Sequence, residues 1–193
     1  LAVHIGDFNA YAQEILDPGG PLYGFNPDAV ILAVRTPDLA PELWHDAATS
    51  SAEQIQAAVT RALAHFTGLL EALRRETPAH LIVHTLELPA FASDGILDAQ
   101  REDGQAAAIG EINRGLRSLA RAHHNVYLLD YDGLMSRHGR LRWHNSGMWQ
   151  AARLPIAAAH LADMSREWLR FLHPLSGRIA KALVVDLDNT LWG

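Results

Sequence analysis

The stretch "AHLIVHTLE" (79–87) decides how this chain folds. Its centre, Leu81-Ile82-Val83, is apolar without alternation. A strand wetted on one face alternates, whereas a continuous apolar run is a strand covered on both faces, the habit of parallel sheets. Long helical patterns flank it. Upstream, "SSAEQIQAAVTRALAHFTGLLEALRRET" (50–77) carries Ile55, Val59, Leu63, Phe66, Leu70 and Leu73 three or four apart, one apolar stripe. Ser50 and Glu53 have capping-box spacing, and Pro78 prevents continuation. Downstream, "GQAAAIGEINRGLRSLARAHH" (104–124) reads as a second helix with a basic last turn.

The same alternation extends outward. "LAVHI" (1–5), "AVILAV" (29–34), "VYLLD" (126–130) and "ALVVD" (182–186) read as further strands. "DFNAYAQEIL" (7–16), "PELWHDA" (41–47), "YDGLMSRHG" (131–139) and "IAAAHLADMSREWLRFLH" (156–173) read as helices, the last stopped by Pro174. Residues 88–100 read as a loop, the kind of post-strand segment where α/β proteins place function. Right-handed crossovers then predict an α/β fold with a three-layer, doubly wound parallel sheet. "HPLSGRI" (173–179) supplies Pro, Ser and Gly for a linker, which divides the chain into a domain over 1–175 and the start of another over 176–193.

A formal net charge of −6, with Arg residues scattered, argues against nucleic-acid binding, which needs cations to displace counterions. The absence of Cys excludes disulfides, zinc-thiolate sites and cysteine catalysis. No segment approaches a membrane span or a secretory leader, so a cytoplasmic protein without membrane partners is expected.

The chemistry gathers in "KALVVDLDNTLWG" (181–193). Asp186 ends an apolar strand, Asp188 follows by two and Thr190 by two more. A carboxylate pair at a strand's C-terminal end can hold a hard ion such as Mg2+. One carboxylate can also attack phosphorus or an acyl carbon, and the other can serve as acid or base. Thr190 can hold the turn and the substrate. The structural alternative is a strand ending in a solvated Asp-Asn turn.

These residues resemble motif I of the haloacid dehalogenase-like (HAD) phosphotransferases, and "DLDNTLWG" resembles the FkbH-like subgroup. "QEILDPGGPLYGFNPDAVILAV" (13–34), "VYLLDYDGL" (126–134) and "GMWQAARLPI" (147–156) are similar to that family's other blocks. The resemblance implies an N-terminal domain similar to SGNH hydrolases (flavodoxin-like) over 1–175, with its first strand and helix before Leu1. A linker and the first HAD strand follow over 176–193. It implies a parent enzyme of polyketide-type biosynthesis that dephosphorylates a three-carbon phosphoglycerate donor and passes the glyceryl unit to an acyl carrier protein. Asp186 is then the nucleophile, Asp188 the acid/base, both ligate Mg2+, and the remaining HAD residues fall beyond Gly193, leaving this piece inactive alone.

Two alternatives stand beside it: a non-catalytic module binding the carrier protein or the substrate, and an SGNH-like serine esterase or acyltransferase with its Ser upstream. Phe8 in "IGDF" (5–8) is no nucleophile, and His160 precedes Asp163, the reverse of the SGNH order. His144 in "RLRWHNSGMW" (140–149) can contact a pantetheine arm or phosphate; otherwise this is a surface loop anchored by Trp143 and Trp149. Asp38, Glu87, Asp130 and His144 are candidates to line a pocket at the strand ends. His84 reads as a hydrogen-bonded core residue, His123–His124 as a helix terminus, Asp132 as a helix start, and Glu53, Arg61 and Arg74 as solvated helix positions.

Overall fold

The computed structural model describes residues 2–177. The expected strand at 182–186, with Asp186, Asp188 and Thr190, lies outside the described residues. Two short helices come first, α1 (Tyr11–Leu16) and α2 (Pro21–Phe25), followed by strand β1 (Ala29–Leu32). Helices α3 (Thr36–Leu39), α4 (Pro41–His45) and the long α5 (Ala52–Glu76) lead to β2 (His80–His84). Helix α6 (Gln105–Ala122) crosses to β3 (Val126–Leu129), after which come α7 (Tyr131–His138), α8 (Arg140–Trp143), α9 (Ser146–Ala152) and α10 (Leu161–Leu175).

The three strands lie in the order β1-β2-β3, all parallel, with Ile31 beside Ile82 and Ile82 beside Tyr127. Successive strand residues face opposite ways. Leu32, Leu81, Val83 and Val126 pack with Ile55, Val59, Phe66, Leu70 and Leu73 of α5 and with Ile109, Ile112 and Leu116 of α6. Ile82 and Leu129 pack on the other side with Leu134 and Met135 of α7, Trp143 and Met164. Helices therefore cover both faces, which is why these strands do not alternate in hydropathy.

Several boundaries differ from the sequence expectation, each for a local reason. The capping box of α5 is Ser51–Gln54, one residue later than Ser50–Glu53: Ser51 Oγ accepts from the Gln54 amide at 3.3 Å, and the Ser51 amide donates to Gln54 Oε1 at 2.7 Å. Ser50 is already used, its hydroxyl donating to the Asp46 carbonyl at 2.9 Å. Arg74 is not merely solvated; its Nη2 donates to the Ala79 carbonyl at 2.7 Å and braces the turn into β2. Arg61 pairs with Glu42.

Residues 2–6 form no strand. Val3 and Ile5 are exposed, and the segment is held by polar contacts: His4 Nε2 lies 3.1 Å from Glu14 Oε2, and the Asp7 amide donates to Glu14 Oε1 at 3.0 Å. Pro174 lies inside α10 rather than beyond it. So near the end, its missing N–H removes a single helical bond. The segment 88–100 contains a 3-10 turn, Gly95–Gln100. Buried Asp98 then caps α6 by accepting from the Gln105 amide at 2.6 Å and the Ala106 amide at 3.2 Å. Gly104 makes that closure possible, because a Cβ there would sit 2.6 Å from the Asp98 carbonyl oxygen.

Replacing Ser51 by Ala is expected to lower stability by about 1 kcal/mol, and replacing Ser50 by no more than about half that. Urea unfolding of the two variants checks the register of the cap.

Candidate functional site

Ligands of parallel α/β folds sit outside the C-terminal ends of the strands. Here the chain stays buried after the strands end: Thr36, Thr85, Leu86 and Glu87 are all at most 2% exposed. Buried backbone groups need partners, and beyond the ladder side chains supply them. Asn113 of α6 imitates a neighbouring strand, accepting from the Leu86 amide at 2.7 Å and donating to the Leu86 carbonyl at 2.9 Å. Asp132 accepts from the Leu88 amide at 2.7 Å and is gripped by Arg140, whose Nη2 donates to Oδ2 at 2.8 Å.

Among the described residues, Glu87 is the most deeply buried ionisable side chain. Its Oε2 accepts from the Thr36 amide at 3.0 Å and the Thr36 hydroxyl at 3.1 Å, and that hydroxyl also reaches the Glu87 carbonyl at 2.7 Å. Its Oε1 faces Arg35 Nε at 3.6 Å, and neither atom has a hydrogen-bond partner. Burial pushes the Glu87 carboxyl up, against the hydrogen bonds from Thr36 and the charge of Arg35. Arg35 in turn lies over the Trp149 ring, 4.6 Å from its centre, with Arg153 at 5.4 Å. A guanidinium held this way keeps further donors free for a carboxylate or phosphate.

His144 joins the same cluster. Buried Trp143 donates its indole N–H to Tyr131 Oη at 2.9 Å, and that hydroxyl lies 3.3 Å from His144 Nε2. Accepting from the indole still leaves the phenol its own O–H to share with the His144 ring. Burial, with Arg35 nearby, pulls the His144 pKa down to about 4, and burial with the Glu87 charge pushes the Tyr131 hydroxyl up. Behind it, His84 is stacked on Tyr131 at 5.1 Å and accepts from the Trp168 indole at 2.9 Å.

Of the four candidates for a strand-end pocket, Glu87 and His144 are brought together through Arg35 and Tyr131. Asp38 and Asp130 are not: Asp38 is exposed on α3, and Asp130 spends its carboxylate capping α7 through the Gly133 amide at 3.1 Å. The α7 cap is thus Asp130 rather than Asp132. Trp143 anchors its loop as expected, whereas Trp149 is half-buried and meets Arg35, Arg153 and Phe8 rather than the core. Sequence reasoning missed Arg35 and Tyr131. Their one signal was position, each just beyond an apolar strand.

A family model described as "FkbH, N-terminal domain" matches residues 1–173. The chain belongs to the FkbH N-terminal domain family. The fold of this FkbH-type domain is shared by a solved structure, the N-terminal part of the protein BF1531 from Bacteroides fragilis, containing a phosphatase domain complexed with Mg. The TM-score is 0.75 at 18% identity, over 97% of this chain and 48% of that one. The chain thus spans about half the length of that solved chain. No curated protein is detectably similar to it. No described helix is long and apolar enough to cross a membrane.

Burial lowers the His84 pKa from 6.5 to about 4, so the unfolded chain takes up the proton more readily. The stability tied to this neutral ring is intact above pH 6.5 and is lost as pH falls toward 4. Between pH 7 and pH 4 the native chain is expected to lose about 3 kcal/mol more than His84→Gln, which keeps an acceptor for Trp168 but cannot titrate. Urea midpoints across that range measure the difference.

Proposed function

We propose that this chain is the companion domain of an FkbH-like HAD enzyme, and that it binds an acidic donor or the carrier-protein arm while the chemistry belongs to the segment beginning at Asp186. In this reading the domain is a three-layer, SGNH-like α/β unit over 1–175, and residues 176–193 lead into the HAD body. The parent enzyme dephosphorylates a phosphoglycerate-type donor and transfers the glyceryl unit to an acyl carrier protein. Membership in the FkbH family supports it, as does the phosphatase domain carried by the BF1531 structure.

The observation that carries the binding role is the pair of guanidinium groups over Trp149. Arg35 at 4.6 Å and Arg153 at 5.4 Å, next to the neutral His144, offer cations, an aromatic face and an imidazole at the strand ends. Phosphate or carboxylate fits the first, and a pantetheine chain fits the second. Chemistry at His144 is not favoured, because its Nε2 is paired with Tyr131 instead of a Ser.

Asp186 and Asp188 offer only oxygen donors, which is the set Mg2+ prefers. Bound there, Mg2+ would neutralise charge on a phosphate. In this reading Asp186 attacks phosphorus as the phosphoester P–O bond breaks, Asp188 protonates the departing donor oxygen and then takes a proton from the water that frees phosphate from Asp186, and Thr190 steadies the turn and the substrate.

In the longer parent protein, Asp186→Asn is expected to cut phosphate release from a phosphoglycerate-type donor by at least about a thousandfold, as loss of a covalent nucleophile does. Trp149→Ala and Arg153→Ala, both away from the core, are expected to weaken carrier or donor binding about tenfold with phosphate chemistry at saturation retained. Unchanged turnover in Asp186→Asn sinks the catalytic assignment, and unchanged binding in the other two sinks the docking role.

A further inference from the structure

We propose that His138, His160 and Asp163 form a site for one divalent transition-metal ion of the zinc class. The site goes beyond the proposed function and does not rest on it. Among the described residues, these three bring one ligand atom each to within 4.8 Å of one another. His138 closes α7, His160 ends the 3-10 turn Ala158–His160, and Asp163 lies in the first turn of α10. Two separate stretches of chain converge to make the group.

The spacing favours a shared ion over direct pairing. Both imidazoles point Nδ1 at the same oxygen, Asp163 Oδ2, at 3.5 Å from His138 and 3.4 Å from His160. Those gaps are longer than a well-formed N–H···O bond of about 2.7–3.2 Å. They match the edge of a tetrahedron, about 3.4 Å, whose centre lies about 2.0–2.1 Å from each ligand, the length of Zn–N and Zn–O bonds.

The surroundings hold the ligands in place as supporting groups around metal sites do. Arg166 donates to the other carboxylate oxygen, Oδ1, at 2.9 Å, leaving Oδ2 for the ion. Fully buried Trp143 stacks on the His160 ring at 5.0 Å and 18°, and it meets His138 at 5.4 Å. The three ligand side chains remain 17–32% exposed, so an ion can reach them from solvent. Two nitrogens and one oxygen suit Zn2+, Co2+, Ni2+ or Cu2+ and disfavour Mg2+ and Ca2+. Three protein ligands leave a fourth position for water or an incoming ligand.

The test is titration of the chain with Co2+, read by its visible d–d absorption, and with Zn2+ in competition with a chromophoric chelator. One ion per chain is expected, not displaced by excess Mg2+. His138→Ala, His160→Ala and Asp163→Asn should each weaken binding at least about tenfold, whereas His123→Ala and His124→Ala leave it unchanged. Should the ligand variants fold poorly, electron paramagnetic resonance of the native chain with one equivalent of Cu2+ decides: hyperfine coupling to two imidazole nitrogens supports the site. Absence of a Co2+ band, affinity indifferent to the three ligand substitutions, or a Cu2+ signal without two imidazole nitrogens overturns it.

Discussion

Everything at the strand ends follows from one constraint: the parallel ladder stops at His84, but the chain does not reach water there. A buried peptide group left without a partner costs as much as a lost hydrogen bond, so the exit of β2 must be clothed by side chains. Asn113 covers Leu86, Asp132 covers the Leu88 amide, and the Thr36 hydroxyl covers the Glu87 carbonyl. Each of these comes from a different element, so the same bonds that satisfy the backbone also lock α3, α6 and α7 around one point.

The electrostatics of the site are a by-product of that locking. Glu87 is too deep to be solvated, so it depends on Thr36 and on Arg35. Facing that carboxyl at 3.6 Å, Arg35 lies across Trp149, and burial together with its charge disfavours a proton on His144. A cation whose position is fixed by a buried anion is preorganised, and preorganised donors lose little freedom when a charged ligand arrives.

The sheet was legible in the sequence because it depends on composition alone. Leu81-Ile82-Val83 and its counterparts in β1 and β3 are apolar, non-alternating and separated by long amphipathic stretches, and nothing remote can change that reading. Local competition was less legible: Ser50 and Ser51 are each followed at the third position by Glu or Gln, and only the hydrogen bond from Ser50 to Asp46 settles which one caps. "LAVHI" has the composition of a strand, but apolar residues make a strand only where a face awaits them. The site was least legible. Glu87 and Thr36 are 51 residues apart, and Asn113 and Leu86 are 27 apart, so no window of sequence contains both partners. The Asp186–Asp188 pair is the reverse case, plain as a motif yet outside the described residues.

Trp143 belongs to two neighbourhoods at once. Its N–H fixes the Tyr131–His144 pair, while its rings form the wall behind His138 and His160. A rigid indole between two clusters acts as a shared hinge-pin: whatever tilts it on one flank is felt on the other. The Tyr131–His144 cluster and the histidine face of this domain therefore share one wall, and a change at Trp143 reaches both.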